Sequence, residues 1–66
     1  MQDTGIQELF ARLTAQFEDC AALAAEGQRA GLSQAKTAGL LREIRDVTKR
    51  TERSLSLIQE YLVGGH

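Results

Sequence analysis

The segment Leu40–Leu62, LLREIRDVTKRTERSLSLIQEYL, decides how the chain is read. Its apolar residues fall at Leu40, Ile44, Val47, Leu55, Ile58 and Leu62, with Thr51 filling the gap in the series. The steps alternate between four and three, which keeps the series on one side of a helix. The segment predicts a long second helix over about 33–63, with Ser33 as its cap and Gly64-Gly65 as its stop.

A matching series lies upstream. Ile6, Phe10, Leu13, Phe17, Cys20 and Ala24 follow the same alternation, with Leu9 and Leu23 beside them widening the apolar face. They predict a first helix over about 5–26. Asp3 or Thr4 is placed to cap it, and Gln7 stands three residues after Thr4, as a capping box requires. Side chains then shrink through Ala21, Ala22, Ala24 and Ala25, and Gly27 and Gly31 mark a turn over about 27–32. Gly39 weakens the start of the second helix, which a close approach to the alanines of the first would explain. The expected fold is therefore one domain over residues 1–66. It is an all-α, antiparallel, coiled-coil-like two-helix hairpin, completed by oligomerisation or by a partner.

The chain's totals support that reading. Sixty-six residues without proline, with three aromatic residues and many Ala, Leu, Gln, Glu and Arg, favour helix over sheet. A chain this short is marginal alone unless something staples it. One cysteine excludes an internal disulfide, and no Cys/His cluster suggests a zinc site, so association is the remaining staple. Net charge is −1, but it is divided. Five acids against Arg12 give −4 over Met1–Glu26, six bases against four acids give +2 over Ser33–His66, and Arg29 completes the sum. No apolar run approaches the roughly 20 residues of a membrane span. The polar start, Gln2 to Gly5, lacks a signal-peptide pattern, and with a lone thiol this suggests a reducing cytoplasm.

Folding the chain at the turn pairs residues whose numbers total about 62: Ala24 with Ala38, Phe17 with Ile44, Phe10 with Thr51, Ile6 with Leu55. On that register Ile58, Tyr61, Leu62 and Val63 run past the start of the first helix uncovered. Apolar groups on several sides of a helix end are normally sheltered, by a partner or by a second copy. The candidate partner-binding residues are Leu9, Leu23, Leu41, Leu57, Ile58, Tyr61 and Leu62.

Other features read as structural. Thr48, Thr51 and Ser54 lie on or beside the inward stripe and can bond back to the carbonyl four residues earlier, with the phenylalanines filling the space above them. Arg42, Arg45, Lys49, Arg50 and Arg53 form a basic surface, but Glu43, Asp46 and Glu52 interleave with it. That pattern favours a salt-bridged, solvated face, with Asp46 four residues before Arg50 and within reach of Arg42, over a phosphate-tracking one; Glu8 and Arg12 stand in the same favourable order on the first helix. Cys20 falls among apolar neighbours with no histidine to activate it, and His66 stands alone at the end. No catalytic residue, cofactor site or metal site is expected, nor a small-molecule substrate.

The ending SLSLIQEYLVG, Ser54 to Gly64, on a hairpin this short resembles the small co-chaperones of type III secretion needle subunits. The resemblance covers overall size, the glycine-containing turn and the last turns of the second helix; the inner second helix and the alanine-rich turn have no counterpart. It implies a two-helix hairpin that joins a larger repeat-type chaperone, the two together keeping the needle subunit from polymerising in the cytoplasm. It also implies partner contacts at Ile58, Tyr61 and Leu62. The leading expectation is thus a non-enzymatic module that docks helices of another protein, as an assembly partner or chaperone. The rival is a homodimeric four-helix-bundle regulator binding RNA or DNA through the basic face of the second helix. A membrane-surface helix is disfavoured by the mixed charges and the lack of a lysine-rich face.

Overall fold

The computed structural model describes residues 4–64. Two helices, α1 (Thr4–Gly27) and α2 (Gln34–Val63), lie against each other in antiparallel array, and the described residues contain no strand. The hairpin spans 52 × 16 × 10 Å, a plate one helix thick.

Each end of the turn has an identifiable cause. α1 closes with two tightened bonds, Gln28 N–H to the Ala25 carbonyl at 3.1 Å and Arg29 N–H to that of Glu26 at 3.2 Å. Gly31 then takes a φ of +79°, in the left-handed region that disfavours a side chain. Ser33 is extended and accepts the Lys36 N–H on Oγ at 3.1 Å, the cap expected from the sequence. At the far end Gly64 donates its N–H to the Glu60 carbonyl at 2.8 Å. A cap at Asp3 and the Gly65-His66 tail lie outside the described residues.

The seam between the helices is narrower than the sequence suggests. Leu9 and Leu13 of α1 meet Ile58 of α2 in one cluster, flanked by Ile6 and Tyr61. Val47, Thr51 and Ser54 continue the buried line toward the turn. The threonine hydroxyls are satisfied within α2: Thr51 donates to the Val47 carbonyl at 2.9 Å and Thr48 to that of Ile44 at 2.8 Å. Phe10 and Phe17, expected to fill the space above these small residues, stand 55% and 57% exposed instead. Leu9 and the half-buried Gln16, Cys20 and Leu23 hold the α1 side of the seam.

The register also differs. A Cβ built on Gly5 would lie 2.5 Å from Tyr61 Oη, Ser54 Oγ lies 3.1 Å from Gln16 Oε1, and a Cβ on Gly27 would meet a Leu40 methyl at 4.0 Å. These pairs total 66, 70 and 67 rather than about 62. The physical reason is at the turn. At about 1.5 Å per residue the 30 residues of α2 outreach the 24 of α1 by roughly 9 Å. The surplus sits mainly beside the turn, where the first residues of α2 extend past Gly27. Ile58 and Tyr61 are consequently level with Leu9 and Gly5, inside the hairpin rather than beyond it. A Cβ built on Gly39 would meet no atom of α1 within 4 Å, so a close approach to α1 does not explain it.

Candidate docking face

The two broad faces of the plate can be assigned from helix geometry. Advancing one residue along either helix of an antiparallel pair swings the side chain by about 100°. Because the helices share a hand and run oppositely, both swings go to the same side of the plane holding their axes. Residues that follow a seam position therefore form one face, and residues that precede one form the other. The structure agrees: Asp19, Ala22 and Leu23 of α1 line one shallow groove with Glu43, Asp46, Val47 and Arg50 of α2.

The preceding residues make a polar face that includes Glu8, Arg12, Asp19, Glu43, Asp46, Arg50 and Glu60. The following residues make an apolar one. α1 gives Phe10, Phe17 and Ala24, each seven residues from the next; α2 gives Leu41, Thr48, Leu55 and Leu62 at the same spacing. The large apolar members of this face are between 46% and 69% exposed, and the charged Arg45 and Glu52 fall at its outer rim. A half-exposed phenylalanine presents about 100 Å². Five such residues present on the order of 500 Å², at the scale where a contiguous apolar patch marks an interaction surface.

The residues predicted to bind a partner do not stay together. Leu9 and Ile58 are buried against each other's helix, at 9% and 8% exposure, and are part of the hairpin's own core. Leu23 and Tyr61 are half-buried, Tyr61 against that core. Leu57 points to the polar side, lining a hollow with Leu9, Glu60 and Tyr61. Leu41 and Leu62 lie on the apolar face. Phe10, Phe17 and Leu55 belong to the same face, although the sequence placed them in the seam. Their signal was available: apolar residues at 9 and 10, at 23 and 24, and at 57 and 58 make a stripe too wide for one neighbouring helix.

Elsewhere the molecule offers little chemistry. A hollow of about 700 Å³ at the turn end is open to solvent and mixes Glu26, Arg29, Lys36, Arg42 and Glu43 with Leu32 and Leu40. Among the described residues no group of three His, Cys, Asp or Glu could hold a metal ion, and no helix is long and apolar enough to cross a membrane. Cys20 is a free, half-buried thiol on the seam. The ion pair found among the described residues, Arg29 to Glu26 at 2.6 Å, lies at the turn. Among the described residues the expected Glu8–Arg12 and Asp46–Arg50 pairs are not formed, and no ion pair joins the helices. At exposed positions such pairs contribute little, and their side chains stay solvated.

No protein-family model matches this chain, nor does any curated protein or solved structure.

Proposed function

We propose that this protein is a non-enzymatic protein-binding module, an assembly partner or chaperone of the cytoplasm that docks amphipathic helices of another protein. The observation that carries the reading is the uncharged row of Phe10, Phe17, Leu41, Leu55 and Leu62, spread over both helices and left bare by the fold. Helix docking on such a surface buries apolar side chains at seven-residue spacing, the repeat that an amphipathic partner helix presents. Fully covering one leucine contributes roughly 1.5–3 kcal/mol, so a few are enough to hold a complex. The likeness of Ser54–Gly64 to needle-subunit co-chaperones supports type III secretion as the setting. On this reading the contact residues are Leu62 with the two phenylalanines, in place of the buried Ile58. The rival reading, nucleic-acid binding through α2, is disfavoured by the acids interleaved with its bases.

Capture from the native host, with masses measured for the complex, tests this. Proteins retained by the chain and by Glu43→Gln on the polar face, but lost with Phe17→Asp, support the reading. Retention by Phe17→Asp overturns it. Binding should also change little between low and high salt, whereas nucleic-acid affinity would fall steeply.

A further inference from the structure

We infer that, when no client helix is present, the apolar face is closed by a second copy of this chain, giving a four-helix bundle in which α1 of each hairpin lies over α2 of the other. The inference rests on the reading of that face as a helix-docking surface and names its resting occupant.

Two observations point to a second copy. The first is layering. A hairpin 10 Å thick has one layer, and none of its described side chains falls below 2% exposure. Stable domains close a core between two layers, and a chain of this length lacks the means to do so alone. A lone client helix would cover the middle of the face but not both of its flanks; a second plate of the same width covers the whole face. Two faces of about 500 Å² bury on the order of 1,000 Å², the threshold of a specific interface.

The second is fit. The rows Phe10–Phe17–Ala24 and Leu41–Thr48–Leu55–Leu62 share one spacing but are offset along the rod. With the seam numbers totalling 66 to 70, Phe10 is level with a point between Leu55 and Leu62, and Phe17 with one between Thr48 and Leu55. A two-fold axis running along the helices keeps these levels. Each phenylalanine of one hairpin then enters a gap between α2 side chains of the other, as a knob enters a hole.

Sedimentation equilibrium and a spin-label distance test this together. The chain should sediment at twice its 7.2 kDa mass, and Phe17→Asp should raise the dissociation constant about 100-fold or more. With Cys20→Ala and Gln28→Cys, labels on the two turns should lie within about 30 Å, because both turns sit at one end of layers stacked about 10 Å apart. A distance near the 52 Å length of the hairpin would overturn the α1-over-α2 arrangement. A folded monomer at all concentrations would overturn the dimer. A hydrophobic dye then separates the two readings. A monomer that binds 8-anilinonaphthalene sulfonate through Phe17 keeps a bare face for a client, whereas one that binds none loses both readings.

Discussion

Ser54 and Gln16 meet across the seam, Oγ to Oε1 at 3.1 Å, at the most buried residue named in the core. The same hydroxyl lies 3.2 Å from the Arg50 carbonyl, so one O–H serves two acceptors. A polar contact sits in a seam otherwise held mainly by apolar side chains, and it ties α1 to α2 at one level.

That contact should be worth little in stability and more in register. Gln16 is half-exposed, so water can replace its partner. Ser54→Ala is expected to lower unfolding free energy by about 0.5–1.5 kcal/mol. In a double-mutant cycle with Gln16→Ala the coupling should stay below about 1 kcal/mol. Urea unfolding of the four chains measures this; a coupling of several kcal/mol would mean the pair is shielded from water more than its exposure indicates.

Gly39 gives the opposite sign. It lies inside α2 with nothing within 4 Å of an added Cβ, and its φ is not positive. Alanine loses less backbone entropy on folding, so Gly39→Ala should stabilise the chain by about 0.5–1 kcal/mol. The denaturation midpoint should rise with an unchanged slope. A loss of stability would place another body against this position in solution.

The helices, the turn and the Ser33 cap were legible because each has a local cause: spacing, a left-handed glycine, a hydroxyl before a helix. The register was not, because periodicity says nothing about the path of residues 28–33, and placing Ile58 inside the hairpin depends on that path. The excess width of each stripe was legible, but which of its members the seam would take was not. Phe10 and Leu13, or Leu55 and Ile58, stand three apart in one helical series. In the structure one member of each pair is buried and the other exposed, because a single neighbouring helix covers only part of so wide a stripe.

Tyr61 carries its own optical probe. The chain has one tyrosine and no tryptophan, so emission excited beyond the phenylalanine absorption band reports Tyr61 alone. A Cβ on Gly5 would fall 2.5 Å from Oη, 3.1 Å from Cζ and 3.2 Å from Cε2, closer than unstrained contacts allow. Gly5→Ala should therefore move the ring out toward water and change its emission and its accessibility to iodide. Its stability effect should be small, since the helix gain of alanine, at most about 1 kcal/mol, offsets the lost contact. Unchanged emission would mean that the ring does not rest on α1.

The last pair of variants separates folding from docking at neighbouring positions of α2. Ile58 is buried with Leu9 and Leu13, whereas Leu62, one turn later, is 69% exposed on the apolar face. Shortening a buried isoleucine costs about 2–5 kcal/mol, and a carboxylate in the seam adds a desolvation penalty. Ile58→Asp should therefore abolish helical circular dichroism and, with it, any binding. Leu62→Gln should change hairpin stability by no more than about 0.5 kcal/mol, as substitutions at exposed sites do, yet weaken whatever covers the face. Far-ultraviolet dichroism and sedimentation on both chains distinguish the two effects. If Ile58→Asp stayed helical while losing its companion, Ile58 would be a surface contact after all, and the register that levels it with Leu9 would be wrong.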